Sequence, residues 1–240
     1  MKKLETEYSF KPYISKRTLH EHGHVILEKM MGDELDILNN AKVSFNTEND
    51  TLDDHGKGVL RFLMEHGHGS PWESVVFRFD IKLPIFIMRE HVRHRIASLN
   101  EHSQRYSKAI EEFYVPELEY IRTQIGKPGS YTFEPISDAM ILTEAQYLIE
   151  KSQKESFRAY NRLVDIGVAK ELARVVIPVG AYTRIKWTIN LRSLLNYLSL
   201  RNHLDAQKEI VDYAKAVEEL VVEQLPYTME IFNKYGRTSP

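Results

Sequence analysis

The feature that most restricts this chain is a run of strict alternation over residues 74–83. Val75, Phe77, Phe79, Ile81 and Leu83 alternate with Val76, Arg78, Asp80 and Lys82. A period of two fits a strand with one buried and one polar face. Pro84 ends it, because proline donates no ladder hydrogen bond yet suits the first turn of a helix. Residues 182–189 alternate in the same way, with Thr183, Ile185, Trp187 and Ile189 on one face. Two half-buried strands so far apart in sequence demand non-local pairing and helices to cover the apolar side.

The other segments supply them. HGHVILEKMM (22–31) predicts a strand, and Asp33 caps a short helix through Ala41. Residues 46–58 and 125–135 read as loops by composition. A helix ending at Gly67 follows the first loop. A helix over 85–96 carries Arg93, His94 and Arg95 near its end. A long helix runs from Thr143 to Ile166, with a stripe of Ala145, Leu148, Ile149, Tyr160 and Leu163 and a C′ glycine at Gly167. Shorter helices cover 168–176, 191–200 and 205–223. No βαβ rhythm and no linker is present. The expectation is one α+β domain over residues 1–240, an antiparallel sheet with long packed helices.

Cysteine is absent from all 240 residues. That excludes disulfides, thiolate zinc sites and a cysteine nucleophile, and it fits a reducing, cytoplasmic setting. No apolar run approaches the about 18 residues of a spanning helix, so no membrane span is expected. MKKLETEYSF at the start has no apolar stretch of the kind a leader needs. The net charge of −2 conceals a division. Residues 89–108 carry +3 and residues 170–201 carry +5, leaving −10 for the rest. Two basic islands in an acidic chain point to a local anion site. They argue against nucleic acid, which asks for a basic surface.

No GxGxxG follows a strand and no GxxxxGK[ST] occurs, so arginines, hydroxyls and helix ends must hold any phosphate. The densest polar cluster is RHRIASLNEHSQRYS (93–107). Residues two apart on a helix point about 200° from each other. Either the helix ends here, or Arg93 and Arg95 serve different ligands or subunits. HGHGSPWES (66–74) and HEHGH (20–24) are rich in histidine, and His66, His68 and His94 raise the alternative of a metal hydrolase. No HExxH or carboxylate triad supports it, so no metal is expected, and His20 to His24 are read as surface residues. In NLRSLLNYLSLR (190–201), core packing explains the leucines but not Asn190, Arg192, Asn196 and Arg201.

These three clusters, in this order, resemble the flavin-dependent thymidylate synthase family, whose signature is RHR, seven residues, then Ser. Here that is Arg93, His94, Arg95 and Ser103, continued as SQRY. The likeness spans about residues 40 to 230. It implies a homotetramer with active sites built from several subunits, which would let neighbouring chains use opposite faces of the RHR helix. It also implies FAD as cofactor, with dUMP, 5,10-methylenetetrahydrofolate and NADPH as substrates of a dTMP-forming methyltransferase. By motif position, FAD would be held by His68, Ser70, Arg93, His94, Arg95, Glu101, Asn190, Arg192 and Asn196. The dUMP contacts would be Arg93, Ser103, Gln104, Arg105, Arg174 and Arg201, with Arg201 as the catalytic group favouring an ionised N3 of uracil. One position departs: Glu90 stands where many members have Gln, and no direct phosphate contact is carried onto it.

Overall fold

The two alternating segments lie side by side at the centre of a sheet. In the computed structural model, which describes residues 13–238, there are strands β1 (Ser15–Leu19), β2 (Gly23–Met31), β3 (Val76–Pro84), β4 (Ser98–Glu101), β5 (Arg122–Lys127), β6 (Ser130–Pro135) and β7 (Tyr182–Asn190). Five form an antiparallel sheet in the order β1-β2-β3-β7-β4, and β5-β6 is a separate hairpin. The first ten residues, read above as lacking a leader, lie outside the described range.

β3 and β7 pair over their whole length, with Phe79 opposite Trp187 and Phe77 opposite Ile189. Phe77, Phe79, Ile81, Leu83, Ile185, Trp187 and Ile189 are all buried, as their alternation predicts. Each such side chain contributes about 1.5–3 kcal/mol relative to exposure. The helices are α1 (Glu34–Lys42), α2 (Asp54–Glu65), α3 (Ile85–His91), α4 (Ala139–Asp165), α5 (Lys170–Ala173), α6 (Leu191–Arg201), α7 (Lys208–Val222) and α8 (Pro226–Ile231). α6 and α7 supply much of the cover, through Leu194, Leu198, Ile210, Val217 and Leu220. Asp33 caps α1 as expected, accepting from the Leu35 and Asp36 amides at 2.8 and 3.0 Å.

Several expectations are corrected. α3 stops at His91, so the RHR element lies on a turn and not on a helix. The Arg93 and His94 amides bond back three residues, to Glu90 and His91, which tightens the last turn. The chain is then drawn into β4, whose Ser98–Glu101 pair with β7. Residues 125–135 are mostly hairpin, turned at Pro128 and Gly129, the latter at φ of 82°. The loop at 46–58 ends early, because Asp53 caps α2 through the Gly56 amide at 2.7 Å. α4 begins at Ala139, capped by Asp138, and it buries Gln153, Phe157 and Tyr160, whereas Leu148 and Ile149 of the predicted stripe are exposed.

Nor do His20 and His24 lie free on the surface. The His20 ring packs edge-on against Tyr114 and Tyr120, and His24 sits within 3.5 Å of the buried Asp80 carboxylate. Asp80 also receives Lys186 at 2.7 Å and Arg184. These cations outweigh the cost of its burial and hold its carboxyl far below the usual range.

Candidate active site

α3 and α6 leave opposite ends of the β3–β7 pair and meet at their C-terminal ends. α3 follows Pro84 directly, and α6 follows Asn190, whose side-chain oxygen caps it through the Ser193 amide at 2.9 Å. Arg201, the last residue of α6, thereby reaches the last turn of α3. Its Nη1 donates to Glu90 at 3.0 Å and its Nε donates to His94 Nε2 at 2.9 Å. A cation at two converging helix C-termini is favoured by both dipoles.

Around this junction opens a cleft of about 680 Å³, within the usual range for small-molecule sites. Arg93, His94, Arg95, Arg192, Asn196 and Arg201 line it, and Ile96, Ile189 and Leu200 add apolar wall. Because the helix has ended, Arg93 and Arg95 reach the same cleft. Burial, then the Arg201 charge, lowers the His94 pKa to about 4. Its ring is therefore neutral near pH 7, which suits Nε2 accepting from Arg201 and leaves the proton on Nδ1. Arg192 pairs with Glu73 at 2.6 Å. Its guanidinium lies against Gly69, where a Cβ would fall 2.5 Å from Nε. That close approach brings the His68–Ser70 loop alongside the cleft without making it part of the wall.

A second cleft, of about 760 Å³, takes Arg89 from α3, then Glu101, Ser103, Gln104 and Arg174. Glu101 accepts from the Thr183 hydroxyl at 2.7 Å. Arg105 and Arg174 converge on Glu171: Arg105 on its carboxylate at 3.2 Å, Arg174 on its backbone carbonyl at 3.3 Å.

A model of the family described as thymidylate synthase complementing protein matches residues 25–227. The flavin-dependent thymidylate synthase of Kosmotoga olearia is 41% identical over 218 residues, covering 91% of this chain and 93% of its own length. The chain belongs to the flavin-dependent thymidylate synthase family. A second member, from Thermotoga neapolitana, is 41% identical over 218 residues, covering 90% of this chain and 93% of that one. Among solved structures, the UMP/dUMP methylase PolB from Streptomyces cacaoi bound with 5-Br UMP aligns with a TM-score of 0.83 at 33% identity, covering 93% of this chain and 98% of that one.

Against this family background, the residues singled out by motif divide between the clefts. Arg93, His94, Arg95, Asn190, Arg192, Asn196 and Arg201 gather in the first, and Glu101, Ser103, Gln104 and Arg174 in the second. His68, Ser70 and Arg105 line neither. Asn190 has its oxygen committed to the helix cap, so only its amide nitrogen is left to donate. The motifs do not pair the arginines with acids: Arg201, Arg192 and Arg105 are each held by a carboxylate, from Glu90, Glu73 and Glu171. Glu73 stands inside HGHGSPWES and Glu171 three residues before Arg174, and an anion site made of arginines is itself a signal that such counter-charges are near.

Proposed function

We propose that this chain methylates C5 of dUMP to give dTMP, with 5,10-methylenetetrahydrofolate as carbon donor and NADPH as reductant through FAD. The observation that carries the reading is the fixed Arg201 guanidinium in an arginine-rich cleft, in a chain without cysteine. A pyrimidine can be activated by a thiolate adding to C6, and this chain has none. Activation then falls to electrostatics, and a guanidinium beside the uracil imide would stabilise negative charge on the ring.

The first cleft suits FAD by the chemistry of its donors. Arg93, Arg95 and Arg192 offer charge for a diphosphate, Asn196 and the Asn190 amide nitrogen offer polar contacts to a ring edge, and Ile96, Ile189 and Leu200 offer apolar wall. Bound there, FAD would supply the reducing equivalents. Ser103, Gln104, Arg105 and Arg174 would hold the nucleotide phosphate, and Arg93 would serve both ligands. The division of these residues between two clefts of one chain supports a homotetramer whose sites are completed by neighbouring chains. So does the exposed apolar flank of α4, where Met140 is 81% and Tyr147 56% exposed.

The purified protein should be yellow, sediment as a tetramer, and release label from dUMP tritiated at C5 only when both folate and NADPH are present. Colourless protein that takes up no FAD on titration would sink the assignment. Arg105→Ala should weaken dUMP by about 1.5–3 kcal/mol, the worth of a charge-assisted contact. The exposed Glu171 pair that phosphate must displace is worth only about 0–1 kcal/mol. Equal losses for dUMP and deoxyuridine would remove Arg105 from the phosphate.

A further inference from the structure

We infer that Glu90 is a positioning residue for Arg201: with His94 it sets the plane of the guanidinium that the pyrimidine meets. The inference rests on the placement of Arg201 at the uracil ring.

The geometry is specific. Of the five guanidinium N–H donors, one on Nε goes to His94 and one on Nη1 goes to Glu90 Oε2. The three that remain lie on Nη1 and Nη2. A single acceptor would let the fork swing about that one bond, whereas two acceptors in different directions define its plane. Both are themselves fixed. Glu90 projects from the last turn of α3, and the His94 ring packs edge-on against the buried Tyr197 at 4.9 Å. Arg201 is mostly buried, at 19% exposure, while Glu90 is 44% exposed. The acid can therefore be replaced without disturbing the core.

Charge is not what Glu90 contributes. A carboxylate beside Arg201 lowers the positive potential available to a developing anion, so the pair costs stabilisation at the ring. Its benefit is orientation, since misplacing a reacting partner by an ångström can cost on the order of 10² in rate. A neutral acceptor of the same shape should do as well.

The test is steady-state and single-turnover kinetics of dTMP formation by the FAD-loaded enzyme carrying Glu90→Ala, Glu90→Gln or Arg201→Lys, and by the Glu90→Ala/Arg201→Lys double variant. Glu90→Ala should lower kcat by about tenfold or more, with KM for dUMP within about threefold, because orientation matters most in the transition state. Glu90→Gln should restore most of that loss. In the Arg201→Lys background, Glu90→Ala should cost less than about threefold, since the group it positions is gone. Glu90→Ser guards against an idiosyncrasy of the alanine variant.

Wild-type turnover in Glu90→Ala beside a crippled Arg201→Lys would overturn the role of Glu90 and leave Arg201 in place. Equal falls in the Gln and Ala variants, or an undiminished cost in the Arg201→Lys background, would overturn it too. Wild-type turnover in Arg201→Lys would instead remove Arg201 from the ring.

Discussion

Arg201→Lys is expected to reduce dTMP formation by about 10²–10³, the usual cost of losing one preorganised donor at a developing anion. The substitution keeps the positive charge, so the loss must come from geometry. Arg201 ends α6, whose Leu194, Leu195 and Leu198 are buried, and so the guanidinium is presented from a rigid element. It spends Nε on His94 and one Nη1 hydrogen on Glu90 and still has a planar edge for an imide. Lysine offers three donors on one nitrogen at the end of a flexible stem. Once that ammonium turns to the Glu90 carboxylate, it no longer presents a fixed pair of donors to a ring. Flavin reduction by NADPH in the absence of dUMP should change little, because the uracil takes no part in it. Stopped-flow traces that follow reduction and dTMP formation separately check this. Wild-type dTMP formation, or a defect confined to flavin reduction, would place Arg201 away from the pyrimidine.

What could be read from the residues follows from how local each signal is. β3 and β7 were legible because the alternating apolar side chains Phe77, Phe79, Ile81 and Leu83 of β3 leave one way to bury a face, and Phe79 does lie opposite Trp187. The Asp33 cap and the αL Gly167, at φ 91°, are likewise contained within a few residues. The end of α3 was not legible. Nothing in VRHRIAS forbids another helical turn, and pairing of Ser98–Glu101 with β7 is a tertiary gain that overrides propensity.

The hairpin at 122–135 was hidden differently. Its GKPG turn reads as a loop by composition and masks the strand-forming Tyr131 and Phe133 beside it. An isolated hairpin is marginal in water, so its formation here depends on surroundings that sequence does not specify. At the site, the motifs point to the arginines but not to the partners that hold them. Glu90 is 111 positions from Arg201 and Glu73 is 119 from Arg192, contacts that only the fold creates.

His91→Phe is expected to flatten the acid sensitivity of the fold and to raise stability near neutral pH. His91 is 1% exposed, and neither ring nitrogen has a hydrogen-bond partner. It packs edge-on against Trp187 and Tyr197, with ring centroids 4.3 and 5.1 Å away. Burial, followed by the charges of His94 and Arg201, lowers its pKa from 6.5 to about 3. The sign follows from proton counting. Between those two values the unfolded chain binds a proton at this residue and the folded chain does not, so stability falls as pH falls. The slope is about 1.4 kcal/mol per pH unit for one such group. His94, lowered to about 4, and His20, lowered by burial, add contributions of the same sign over their own windows. Most carboxylates titrate below about pH 5, so the interval between about pH 5 and 7 isolates the histidines. Phenylalanine fills nearly the same volume and cannot charge. It also removes a buried unsatisfied polar group, which costs about 1–3 kcal/mol, so melting at pH 7 should move upward. Melting temperature measured across that interval at one fixed protein concentration should fall less steeply for the variant than for the wild type. Parallel curves would mean that His91 is not held neutral in the folded protein, whatever the offset between them.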